Sequence, residues 1–200
     1  MSKTKFKKTQ TPQTNKKKQC ICCQQEFELT LAKRLCNPIS TIKIHTDGSY
    51  YVREKQSIGC GIGVYFGKNS KLNVAAPMHF ITNVGPRSIT RAELSATLLA
   101  LRIMSGFPEK IEIITDSEYI IKSIPKLNSW LIRQWRNSNG KKIVNWDLFE
   151  LIYLCLLKLN VQFTHVNAHK KNIDNDMADY LAKLGANEDI GFEYLKPVSF

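Results

Sequence analysis

Residues 41–50 read Thr-Ile-Lys-Ile-His-Thr-Asp-Gly-Ser-Tyr. Ile42 and Ile44 alternate with Lys43 and His45, the period-two pattern of a strand with one buried face, before Asp47-Gly48 interrupts it. The reading is a first strand ending at Asp47. Further along, residues 59–67 (GCGIGVYFG) form a glycine-interrupted second strand and residues 71–80 a third, together an antiparallel meander. Residues 91–104 place Leu94, Leu98 and Leu101 at helical spacing. The β-branched run 111–115, between Lys110 and Asp116, is short and apolar enough to be a buried parallel strand. Residues 117–123 predict a helix stopped before Pro125, residues 127–136 an amphipathic segment, residues 146–158 a helix and residues 161–166 a strand. Asp174 is expected to cap a last helix with Met177, Leu181 and Leu184 on its apolar stripe. The order β-β-β-α-β-α-α-α-β-α predicts an α/β protein: a five-stranded mixed sheet, three antiparallel strands first, with helices packed on both faces.

The residues before this block differ in kind. Of a formal net charge of +12, residues 1–38 carry nine Lys or Arg against Glu26 and Glu28. Residues 1–19 are Lys, Thr and Gln with almost nothing apolar, a composition that cannot bury enough surface to fold, so residues 1–38 are expected to be a basic, largely disordered arm. Such a charge excess favours polyanionic partners through counterion release without naming one. The start is Lys-rich with no apolar core of a signal peptide, which leads to the expectation of an intracellular protein with reduced cysteines. No apolar run approaches the ~18 residues of a membrane span. Cys20-x-x-Cys23 has knuckle spacing and Cys36 follows, but a structural zinc site takes four ligands and this set supplies three; Cys22, adjacent to Cys23, is a poor fourth. Zinc, free thiols and redox sensing all stay open.

Chemistry is concentrated in acids near the ends of predicted elements. Asp47 ends the first strand, Asp116 the parallel strand, Glu93 lies in the first turn of the first helix and Asp179 near the start of the last. Ligands of open α/β sheets bind beyond the carboxyl ends of strands. Converging carboxylates repel unless a cation sits among them, and hard oxygen donors suit Mg²⁺ or Mn²⁺ rather than zinc. Two such ions are a known arrangement for phosphodiester cleavage. Taken singly, each acid is better explained by local structure, as Asp-Gly turn or Thr-Asp-Ser helix cap; the set carries the argument.

His45-Thr46-Asp47-Gly48-Ser49 resembles the first motif of type 1 ribonuclease H, Thr90-Arg91-Ala92-Glu93-Leu94 the second, and Ile114-Thr115-Asp116-Ser117 the third. His169, followed by Asn175-Asp176 and Ala178-Asp179, resembles the fourth. The match runs over residues 41–187, about three-quarters of the chain, and four motifs in order are specific where one is not. The resemblance implies a ribonuclease H-like fold over residues 39–190, followed by a tail at 191–200. It implies cleavage of the RNA strand of RNA–DNA hybrids with two Mg²⁺ ions (Mn²⁺ as a substitute), leaving 5′-phosphate and 3′-hydroxyl ends. In this reading Asp47 bridges the ions, Asp179 completes the one that holds the attacking water, and Glu93 and Asp116 complete the other. Glu93 also touches a ribose 2′-hydroxyl, the group that distinguishes RNA from DNA, and His169 assists proton transfer or product departure. His45, His79 and His165 lie in strand patterns and read as structural.

Residues 126–142 (KLNSWLIRQWRNSNGKK) interleave Trp130 and Trp135 with Arg133, Arg136, Lys141 and Lys142, a pattern for phosphate neutralisation and ring packing, the alternative being a core Trp pair with a solvated basic face. The segment is similar in place to the basic protrusion of cellular ribonucleases H; with Thr90 and Arg91 it supplies the expected nucleic-acid contacts of a stand-alone monomer. The family pattern is departed from at Ile89, where an Asn is usual, and at Asn167-Ala168 and Lys170-Lys171-Asn172 around His169. None of these is an expected metal ligand. Two rivals remain: a module of the same fold that binds nucleic acid without cutting it, and another nuclease on that fold, such as an integrase, resolvase or exonuclease.

Overall fold

The computed structural model describes residues 41–52, 58–82, 85–167 and 172–187. The first strand, β1 (Ile42–Val52), does not stop at Asp47. It continues because β2 (Ile58–Tyr65) pairs with it antiparallel along its C-terminal two-thirds, Asp47 opposite Gly63 and Gly48 opposite Ile62. Asp47-Gly48 is therefore strand interior, where a turn was the expectation. β3 (Val74–Pro77) pairs antiparallel with β2, and is shorter than the predicted 71–80 because the chain bends at Lys71 and tightens into a 3₁₀ turn at Met78–Phe80. His79 thus lies in a turn, not a strand. β4 (Ile111–Thr115) runs parallel to β1, and β5 (Val161–His165) parallel to β4. The sheet is mixed, in the order β3-β2-β1-β4-β5.

The helices divide between its faces. α1 (Ile89–Ile103) opens on Ser88, whose side chain accepts from the Arg91 backbone N–H, two residues before the predicted start. Its Leu94, Leu98 and Leu101 are fully buried with Ile44, Ile62, Ile111 and Ile113. α2 (Glu118–Ser123) opens on Ser117, a 3₁₀ turn at Ile124–Lys126 leads to the short α3 (Leu127–Ile132), and α4 (Trp146–Leu156) packs on α1 as an outer layer through Leu148, Phe149 and Ile152. α5 (Ile173–Asn187) covers the other face across β1, β2 and β3. Its cap is the Asn172 side chain, which accepts from the Asn175 N–H at 3.3 Å; Asp174 stands one residue inside the helix. Among the described residues no helix is long and apolar enough to cross a membrane. The basic arm at 1–38, with Cys20, Cys22, Cys23 and Cys36, the 191–200 tail and His169 lie outside the described residues.

Candidate active site

Strand geometry decides where the acids point. Side chains alternate along β1: Thr46 meets Thr97 of α1, with their hydroxyl oxygens 3.5 Å apart, while His45 faces Asp174 of α5 at 3.8 Å. Asp47 is therefore on the α5 side. The parallel register pairs His45 with Ile114, so two residues further Asp116 comes alongside Asp47 on the same side, just past the end of β4. The other two acids arrive on helices that glycines allow to approach. A Cβ on Gly48 would sit 2.4 Å from the Glu93 backbone nitrogen, so only glycine lets α1 bring Glu93 against β1 at the level of Asp47. A Cβ on Gly63, directly opposite Asp47, would sit 2.1 Å from the Ala178 carbonyl oxygen; α5 rests on that bare backbone and carries Asp179 in beside it.

Each carboxylate has its own tie. The Gly48 N–H donates to Asp47 Oδ1 at 2.8 Å. The Ser117 hydroxyl donates to Glu93 Oε2, and Ser117 Oγ in turn accepts from the Ile120 N–H as the cap of α2. Asn175 Nδ2 donates to Asp116 Oδ2 at 3.3 Å, and Lys183 Nζ to Asp179 Oδ2 at 2.5 Å. Burial, followed by the charges of Asp116, Asp179 and Glu93, pushes the Asp47 carboxyl up to about 8, against the single lowering bond from Gly48. Burial and Asp116 also raise Glu93, with the Ser117 bond opposing. Lys183 is raised by its bond to Asp179 and further by the charge of Asp47.

Asp47 thus feels the charges of Asp116, Asp179 and Glu93, and Glu93 that of Asp116, which puts Asp47 at the centre of the set. All the donors are carboxylate oxygens, with neither thiolate nor imidazole among them, which fits a hard divalent cation. Among the described residues no three His, Cys, Asp or Glu side chains are already gathered about one point as a ligand set. Glu93, Asp116 and Asp179 each make a side-chain hydrogen bond, which takes one of a carboxylate's several lone pairs and leaves the others for an ion.

The RNase H family model matches residues 40–187. The chain belongs to the ribonuclease H family. A ribonuclease H of Orientia tsutsugamushi is 36% identical over 149 residues, 74% of this chain and 83% of the relative. One of Schizosaccharomyces pombe is 33% identical over 147 residues, 72% of this chain; the chain spans only 53% of that longer relative. The fold is also similar to a foamy viral protease–reverse transcriptase solved in complex with an RNA/DNA hybrid, with a TM-score of 0.60 and 20% identity over 76% of this chain and 21% of that one.

Of the expected nucleic-acid contacts, two are buried in the structure. Arg91 is 2% exposed. Its guanidinium forms a two-pronged ion pair with Asp147 and also reaches Asn145 Oδ1 at 3.1 Å and Thr82 Oγ1 at 3.0 Å, so it ties α1 to the start of α4 and has no free face for phosphate. Trp135 is 4% exposed and donates its indole N–H to Glu150 at 3.1 Å. Gln134 and Trp135 both adopt left-handed backbone (φ 53° and 60°), which reverses the chain after α3 and turns the indole inward. Trp130 is half-buried, edge-on to Phe149 at 5.3 Å between centroids. Arg133, Arg136, Lys141 and Lys142 are exposed, with Lys142 Nζ 3.8 Å above the Trp146 ring and Arg136 bonded to the Gly140 carbonyl. Thr90 is half-buried beside the cap, its hydroxyl oxygen 3.3 Å from that of Ser88. Sequence reasoning gave no site role to Ser117 or Asn175, although both stand inside the quoted motifs. A polar residue one place after Asp116, and an unexplained Asn four before Asp179, were the available signals.

Proposed function

We infer that the chain hydrolyses the RNA strand of RNA–DNA hybrids, leaving 5′-phosphate and 3′-hydroxyl ends. The observation that carries this is the placement of the acids around Asp47: the β1–β4 register sets Asp116 alongside it, bare Gly48 admits α1 with Glu93, and bare Gly63 admits α5 with Asp179. Asp47, Glu93, Asp116 and Asp179 would hold two Mg²⁺ ions, with Mn²⁺ as a substitute. Bound there, the metal lowers the pKa of water and stabilises the leaving oxygen.

The chain's own residues do the rest. Asp47, on rigid β1 and clamped by the Gly48 N–H, fixes the centre. Ser117 orients Glu93, whose second oxygen is left to accept from a ribose 2′-hydroxyl, so that RNA is chosen over DNA at the cut strand. Asn175 orients Asp116 and Lys183 orients Asp179. His169 would move a proton or speed product departure. The exposed Arg133, Arg136, Lys141 and Lys142 would neutralise phosphates of the uncut strand, and the Lys-rich arm would act as a non-specific tether. The working form in this reading is a monomer.

The test is cleavage of a labelled hybrid with Mg²⁺, beside EDTA and an Asp47→Asn control, with the same RNA single-stranded and in an RNA duplex. Hybrid-only cutting, lost in both controls, is the expected result. A hybrid that is bound but uncut with either Mg²⁺ or Mn²⁺ would make the chain a binding module of the same fold.

A further inference from the structure

α4 is apolar on more sides than the core uses. Leu148, Phe149 and Ile152 are buried, whereas Leu151 is 37%, Leu154 49% and Leu157, at the helix end, 64% exposed. These three leucines recur at i, i+3 and i+6 and share one side of the helix. Single exposed leucines are ordinary, but an aligned row on an otherwise apolar helix marks a face made to be covered.

The position of this face says what can cover it. Ile42, Ile111 and Val161 are in register across β1, β4 and β5, so all three strands begin at one end of the sheet. α4 ends beside it, at Leu156, a few residues before Val161. The chain preceding Thr41 leaves from that same end, about two strand spacings, or ~10 Å, from Val161. Residues 36–41 can extend ~20 Å, enough to bring Leu35 to the C-terminal end of α4. Immediately before them stands the sequence Phe27-Glu28-Leu29-Thr30-Leu31-Ala32-Lys33-Arg34-Leu35. It holds four large apolar side chains in nine residues, against only Met1 and Phe6 in residues 1–19, and Phe27, Leu31 and Leu35 repeat at every fourth position.

We propose that residues 27–35 dock on the Leu151–Leu154–Leu157 face of α4, so that the basic arm proper ends near residue 26 and the apolar stretch after it is part of the folded domain. The attachment would also direct the lysines at 3–18 away from a fixed point on the domain.

Hydrogen exchange on the full-length chain, read by mass spectrometry, tests this. In the wild type, amides of 27–35 should exchange at least ~10-fold more slowly than in Leu154→Glu, and Leu31→Glu should abolish the same protection. Near-UV circular dichroism confirms that the variants stay folded. Leu157→Lys, at the most exposed of the three positions, replaces Leu154→Glu should that variant unfold. Free exchange of 27–35 in the wild type, or protection unchanged in both α4 variants, would overturn the proposal. So would loss of a dimer on Leu154→Glu, seen by light scattering, with 27–35 exchanging freely; a second copy would then be the occupant.

Discussion

Arg91 and Asp147 are joined across the domain by a two-pronged ion pair, one hydrogen bond running from Nη1 to Oδ1 at 3.0 Å and the other from Nη2 to Oδ2. Arg91 stands two residues before Glu93 on α1 and Asp147 in the first turn of α4, so the pair links the helix carrying a site acid to the helix that follows the basic segment. Removing one partner strands a buried charge. Asp147→Asn should cost about 2 kcal/mol in urea unfolding, less than the ~3–5 kcal/mol of a fully buried pair, because Asp147 retains some solvent contact.

The same pair sets an acid limit. Burial works to raise the Asp147 carboxyl, but the hydrogen bond and charge of Arg91 override it and hold it below its ordinary value. An acid depressed in the fold contributes stability in full above its unfolded pKa of about 3.9, and loses it as pH falls through the folded value. The stability gap between wild type and Asp147→Asn should therefore be flat from neutrality down to about pH 4 and close below it. A gap that widened in acid would contradict this assignment.

Asp47→Asn should move activity and stability in opposite directions. Cleavage of the hybrid should fall by about 10³-fold or more, since the centre of an interdependent set is lost. In EDTA near neutral pH the variant should be the more stable protein by about 2 kcal/mol, because the wild type folds only by keeping the buried Asp47 carboxyl protonated well above its unfolded pKa of about 3.9. Thermal unfolding in EDTA is the measurement; a destabilised variant would mean that burial and the neighbouring acids do not raise the Asp47 carboxyl.

The difference between what was legible in the sequence and what was not has a physical basis. Leu94, Leu98 and Leu101 announced α1, and the run Ile111–Thr115 announced β4, because burial imposes periods that composition records. The four acids were legible as a set, through their motif contexts. Asp47-Gly48 misled because the pair has two uses: a turn in isolation, and here a strand interior where the missing Cβ admits α1. The burial of Arg91, and the choice between surface and core at Trp135, were not legible for a different reason. A cation or an aromatic ring reads as surface chemistry until a distant partner is known, and Asp147 and Glu150 are partners 56 and 15 residues away. No local pattern encodes those separations.

Gly48→Ala tests the close approach. The added Cβ would meet backbone, Glu93 N at 2.4 Å and Ala92 C at 2.7 Å, neither of which can swing aside. The expected cost is about 3 kcal/mol in urea unfolding. Turnover per folded molecule should also drop, since relief of the clash displaces Glu93. Full turnover in the folded fraction would show that the position of Glu93 is not critical.

The corrected protrusion yields the sharpest separation of binding from folding. Arg133→Ala and Lys141→Ala remove exposed cations, so each should weaken hybrid binding, lower the slope of log affinity against log salt by about one, and leave unfolding unchanged. Trp135→Ala removes a buried ring and its bond to Glu150, so it should cost about 3–5 kcal/mol of stability, while the salt slope of the molecules that remain folded keeps its wild-type value. Salt-series binding isotherms beside urea titrations on the three variants decide it. If Trp135→Ala lowered affinity without loss of stability, the indole would be a nucleic-acid contact after all, and the inward turn at Gln134 and Trp135 would have to open on binding.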